Sequence, residues 1–99
     1  MKNMGNMLKQ AKKLQSQMTK IQDEMGGKTV TASAGGGMVE AVVNGKQQLL
    51  SLKISPEAVE DLEMLQDMVV AAVNKAQEEA QEMMQSAMGE IMGGMNLPF

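Results

Sequence analysis

The chain has 99 residues and a net charge of −3, enough for one domain and too short for two. It contains no His, Arg, Cys, Tyr or Trp, which removes the usual general acid–base residue, the commonest metal ligand and every thiolate site. No catalytic residues, metal, cofactor or small-molecule substrate are therefore expected. No segment approaches the roughly 18 consecutive apolar residues of a membrane span, and the N-terminus lacks the apolar stretch of a secretory signal, so a cytoplasmic protein without membrane contact is expected.

The charge is segregated. Residues 1–22 hold five lysines and no carboxylate, whereas residues 23–99 hold four lysines and twelve carboxylates. An acidic chain with a cationic arm points to a polyanion or to an acidic protein surface as partner.

Residues 3–25 read as a long helix. Met4, Met7, Ala11, Leu14, Met18, Ile21 and Met25 recur at alternating gaps of three and four, a heptad seam over three repeats. Asn3 is the expected N-cap, with Asn6 as a later start. Gly26-Gly27 is expected to end the helix through a left-handed glycine. Such a rod is about 35 Å long and needs another long helix beside it.

The period changes to two over residues 28–54. Residues 29–34 alternate small apolar and hydroxyl side chains, and Gly35-Gly36-Gly37 interrupts them. Val39, Ala41 and Val43 then share one face. Asn44-Gly45 is the usual two-residue hairpin signal, with both residues at positive φ. Leu50, Leu52 and Ile54 follow on one face, completing a three-stranded antiparallel meander whose third strand needs cover.

Ser55-Pro56-Glu57 marks a short helix with a hydroxyl cap, running through Val59. Asp61 is placed as cap of a long helix over residues 62–92. Its stripe is Leu65, Val69, Ala72, Ala76, Ala80, Met83, Ala87 and Ile91, with the alanines permitting close approach of a second helix. Gly93-Gly94 should stop it, leaving a tail over 93–99. The whole is a single α+β domain, 1–99: helix about 3–25, strands about 28–54, helices about 56–92. Its two long helices lie antiparallel as an arm rooted in the sheet. So extended a shape buries little, which calls for a homodimer. Sheet-to-sheet contact is favoured, through Val39, Ala41, Val43, Leu50, Leu52 and Ile54, because the helix seam is expected to be used within each arm.

Lys9, Lys12, Lys13 and Lys20 face away from the seam, and Lys2 sits on the end of the helix. The polar residues among them are Gln10, Gln15, Gln17 and Gln22, not Glu. A merely solvated face mixes charge signs, so duplex DNA is the favoured partner over an inert surface or an acidic protein. Lysine suits phosphate, while arginine for guanine edges and aromatic platforms for bases are missing. Binding should therefore be dominated by phosphate and depend steeply on salt. The triple glycine lacks the flanking pattern of a phosphate loop and reads as a strand connection. Glu78, Glu79 and Glu82 read as a solvated face that repels DNA. Met83, Met84, Met88, Met92 and Met95 read as core filler. The alternative makes them an adaptable groove, and the chain a non-enzymatic protein-interaction module.

Several segments, in order and spacing, resemble the YbaB/EbfC family of bacterial nucleoid-associated proteins. They are Met4-Gly5-Asn6-Met7-Leu8-Lys9-Gln10-Ala11, Gly35-Gly36-Gly37-Met38-Val39, Val43-Asn44-Gly45, Ile54-Ser55-Pro56, Glu63-Met64-Leu65-Gln66-Asp67, Val70-Ala71-Ala72-Val73-Asn74-Lys75-Ala76, and Gly93-Gly94-Met95-Asn96-Leu97-Pro98. The resemblance implies a tweezers-like homodimer with helical arms projecting from a β body. It also implies DNA binding on the long helices, with Lys9 as the firmest positional match, and a role in nucleoid organisation or gene regulation. On this reading the protein resides in the cytoplasm, on the nucleoid.

Overall fold

The computed structural model describes residues 4–94. Helix α1 spans Met4–Gly26. Strands β1 (Thr29–Ala34), β2 (Val39–Asn44) and β3 (Leu49–Ile54) follow, then a short 3-10 helix (Pro56–Glu60) and helix α2 (Leu62–Gly94). The sheet is an antiparallel meander in the order β1-β2-β3. Fold class and element order match the sequence expectation. The tail at 95–99 lies outside the described residues, and α2 runs through the expected stop at Gly93.

The core lies between one sheet face and α2. Val30 pairs with Val43, Ala32 with Ala41 and Ala34 with Val39, so one face of β1 and β2 is uniformly small and apolar. Helix α2 packs across these two strands. Its Ala72, Ala76 and Ala80 are wholly buried in one cluster with Ala32, Val39, Ala41 and Val43. The close approach expected of the alanine stripe is thus to the sheet rather than to a second helix. Methyl side chains bring the helix axis near the strands, and Val39, Val43 and Met68 fill the remaining volume. Asp61 caps α2 as expected, its Oδ1 accepting the Met64 N–H at 3.1 Å. Ser55 makes no side-chain cap; its carbonyl instead accepts the Ala58 N–H at 3.0 Å.

Two glycine expectations are corrected. Gly26 and Gly27 end α1 without a left-handed residue. The last turn tightens instead, with Gly27 N–H donating to Glu24 O and Lys28 N–H to Met25 O, both at 3.1 Å. Asn44-Gly45 is not a two-residue turn either. The loop runs over residues 45–48, and its positive φ falls at Gln47, 67°. Asn44 is buried and organises this loop. Its Oδ1 accepts the N–H groups of Lys46 (2.9 Å) and Gln48 (3.0 Å), and its Nδ2 donates to Gln48 Oε1 (2.7 Å). Gly45 is needed for proximity. Its N–H donates to Met25 O (2.9 Å) and Lys28 O (3.1 Å), and a Cβ there would collide with the Met25 carbonyl. This junction roots α1 on the sheet.

Above the junction the molecule is extended. It measures 69 × 23 × 17 Å, with a radius of gyration of 19.3 Å, against about 13 Å for a compact domain of this length. The seam of α1 is only partly used. Met25 is buried and Leu14 and Ile21 are half-buried, but Met4, Met7, Ala11 and Met18 are exposed. The expectation that the seam is consumed within the arm is therefore overturned: α2 covers only the half of α1 nearer the sheet.

The proposed sheet contact also needs correction. Val39, Ala41 and Val43 have no accessible surface, so they are core and unavailable to a partner. Strand β3 differs, because α2 does not extend over it. A bulge at Val42/Val43 makes Leu49 the partner of Val43 and leaves Leu50 as the extra residue. Leu49, Leu50 and Ile54 are exposed and Leu52 is half-buried.

Gly45→Ala is expected to cost about 2–3 kcal/mol by forcing α1 from its seat. Gly36→Ala faces open space at a φ of 68° and should cost only about 1 kcal/mol. Urea denaturation of both variants measures the difference, and equal losses would show that the Gly45–Met25 contact is not a structural constraint.

Candidate nucleic-acid interface

The residues of α1 form a helix for simple reasons. Lys, Gln, Met, Leu and Ala dominate it, and all are strong helix formers. Lys9, Lys12, Lys13 and Lys20 are all exposed. They share the face opposite Leu14, Ile21 and Met25, which hold the helix to the body. Lys2 lies outside the described residues. The structure thus brings four of the five sequence-selected lysines onto one solvent-facing ridge without an intervening carboxylate.

A shallow open groove of about 730 Å³ runs along this helix, lined by Lys12, Gln15, Ser16, Thr19 and Lys20, with Asp23 and Glu24 at its sheet end. Its amide and hydroxyl groups supply neutral hydrogen-bond donors beside the two cations. Asp23 and Glu24 mark where the cationic surface stops. The root carries another cation that sequence reasoning did not select. The Lys46 side chain lies over the end of α1, its Cε 3.2 Å and Nζ 3.7 Å from where a Gly26 Cβ would stand. An ammonium there complements the negative end of the helix dipole. Only the docking of loop 45–48 onto α1 makes that placement visible.

Helix α2 has the opposite character, with one lysine, Lys75, against six carboxylates. Glu78 and Glu82 are exposed and Glu79 is half-buried. By helical spacing Glu78 and Glu82 lie opposite the half-buried Met84, Ala87 and Ile91. The arm is consequently polarised across its width, with cations on the outside of α1 and carboxylates on the outside of α2. These glutamates do not form a metal-binding group; none is found among the described residues. Met83, Met84 and Met88 are half-buried, while Met95 and the side chain of Met92 lie outside the described residues. No helix among the described residues is long and apolar enough to cross a membrane.

The YbaB/EbfC DNA-binding family model matches residues 1–95. The chain belongs to this family. It is 50% identical over 98 residues to a nucleoid-associated protein of Thermoanaerobacter pseudethanolicus, covering 97% of this chain and 88% of that one. A nucleoid-associated protein of Syntrophobacter fumaroxidans is 53% identical over 95 residues, covering 94% and 86% respectively. The crystal structure of an uncharacterized protein from Helicobacter pylori superposes with a TM-score of 0.84 at 20% identity, over 90% of this chain and 96% of that one. The YbaB/EbfC fold of this chain is thus shared with a protein whose sequence has diverged far.

Because the ridge lysines are exposed, replacing Lys9, Lys12 and Lys13 by Gln should change stability by less than about 0.5 kcal/mol. A thermal melt followed by circular dichroism checks this, and a large drop would mean that the ridge holds the fold instead of presenting a surface.

Proposed function

We propose that this protein is a nucleoid-associated protein that binds duplex DNA as a tweezers-like homodimer, in the bacterial cytoplasm. The contacts are to phosphate, from Lys9, Lys12, Lys13 and Lys20 on α1, with Lys2 extending the set beyond the described residues. The observation that carries this reading is the ridge itself: four exposed cations on one helix face of an acidic chain in a DNA-binding family. The names of the relatives support the nucleoid role.

The absence of arginine and of an aromatic residue within residues 4–94 leaves phosphate as the principal contact. The acidic outer side of α2 repels the duplex and so orients the arm, α1 towards DNA. The homodimer is supported by the uncovered β3, by the open half of the α1 seam, and by Gln17 Oε1, which is buried without a donor among the described residues. The protein-interaction alternative rests on the Met-rich end of α2. The half-burial of Met83, Met84 and Met88 favours their role as arm packing instead.

Fluorescence anisotropy of a labelled duplex at several salt concentrations tests the DNA reading. The four ridge lysines give a slope of log K against log salt of about −3.6 per engaged arm, and Lys2 as a fifth contact brings it to about −4.5. Each Lys→Gln change on the ridge should reduce the slope by about one, and reversing Lys9, Lys12 and Lys13 to Glu should abolish binding. Affinity indifferent to salt, or unaffected by the charge reversal, would refute the phosphate mode. For the dimer, Leu50→Lys with Ile54→Lys should halve the mass seen by sedimentation equilibrium; an unchanged mass would move the interface away from β3.

A further inference from the structure

The outer side of α1 carries more than its cations. Between Lys12 and Lys20 the open groove along this helix is lined by Gln15, Ser16 and Thr19, all exposed and uncharged. Helical spacing sorts these side chains into neighbouring strips. Lys9, Lys13 and Lys20 form one flank. Lys12, Ser16 and Thr19 form the crest opposite Leu14, and Gln15 stands on the other side of that crest. Of Gln10, Gln15, Gln17 and Gln22, only Gln15 lines the groove. Amide and hydroxyl groups carry no net charge, so phosphate attraction does not account for this strip.

We propose that Gln15, Ser16 and Thr19 read base edges in the major groove of the duplex, with Gln15 selecting adenine. The proposal rests on the phosphate-binding reading above and extends it from holding DNA to choosing sequence. An α-helix with its side chains is about 10–12 Å across and fits the major groove, about 12 Å wide; the minor groove, about 6 Å wide, does not admit it. With the flank of Lys9, Lys13 and Lys20 against one phosphate backbone, the crest faces the base pairs. A glutamine amide donates and accepts at once, which matches the amino group and N7 of adenine, while serine and threonine hydroxyls suit any base. From Gln15 to Thr19 the strip spans about 6 Å along the helix, the rise of roughly two base pairs. Each arm therefore reads a very short site, and the preference is modest beside the phosphate contribution. Asp23 and Glu24 close the strip at its sheet end, where their charge repels the backbone.

The test compares two labelled duplexes of about 20 base pairs by fluorescence anisotropy. One carries adenine in every dinucleotide context. The other has the same sequence made with 7-deazaadenine, which lacks the N7 acceptor and leaves every phosphate in place. The wild-type chain should bind the modified duplex about tenfold more weakly, at an unchanged salt slope. Gln15→Ala should bind both duplexes alike and keep the wild-type slope. Alanine sustains the helix, which circular dichroism verifies. Lys12→Gln should do the reverse, reducing the slope by about one while keeping the tenfold ratio. Ser16→Ala with Thr19→Ala should weaken binding to both duplexes about threefold without altering the slope; unchanged affinity would remove the two hydroxyls from the readout. Equal binding of both duplexes by the wild type, at a slope that matches the lysines, would overturn the base readout and leave the phosphate reading intact. So would a Gln15→Ala chain that still prefers the unmodified duplex. No binding to either duplex at low salt would overturn both readings together.

Discussion

The seating of α2 on the sheet is the contact on which everything else in this molecule depends. Ala72, Ala76 and Ala80 leave the helix no side-chain bulk on that side, so it settles directly onto Ala32, Val39, Ala41 and Val43. A helix fixed this closely cannot tilt without opening voids that nothing fills. The same helix then continues past the sheet and becomes half of the arm. Core and arm share one rigid rod, and the direction of the arm is set inside the core.

Helix α1 joins that rod at a single root. The buried Asn44 holds loop 45–48 in shape, Gly45 lets the loop backbone meet the last turn of α1, and Lys46 lies over the helix end. From there the helix is progressively less covered, from buried Met25 through half-buried Ile21 and Leu14 to exposed Met7 and Met4. Held at its root, α1 presents a long exposed surface. That surface is cationic on its outer ridge, and the companion helix is acidic on the side facing the opposite way. In the proposed function both helices together turn an approaching polyanion toward α1.

The family assignment points to DNA. Matching the family over residues 1–95 does not by itself say which side chains meet DNA. Exposure and charge are why Lys9, Lys12, Lys13 and Lys20 are the contacts proposed above. The uncovered β3 and the half-open seam are the surfaces on which the proposed homodimer rests, in a chain with a 69 Å long axis that leaves large hydrophobic side chains in water.

Much of this was legible in the chain itself, and the reason is local. Periodicity of three and four, or of two, follows from backbone geometry within one element, so the helices, the meander and the lysine ridge opposite Leu14 and Ile21 could be read directly. The Asp61 cap involves neighbours only three residues apart and was equally readable. What failed was everything that required knowing a distant neighbour. Val39, Ala41 and Val43 are apolar whether they face a partner or their own helix, and only α2 lying over them decides that they are core. The heptad seam states that Met4 and Met7 belong on one side of a helix, not whether α2 reaches them. Gly45 looks like a turn residue because glycine serves both positive φ and close approach, and only the packed carbonyl of Met25 tells the two apart. Composition and local spacing thus determined the elements and the charge of the arm. Tertiary structure alone decided which apolar surfaces are spent inside the fold and which remain outside it, because burial belongs to pairs of elements and never to one.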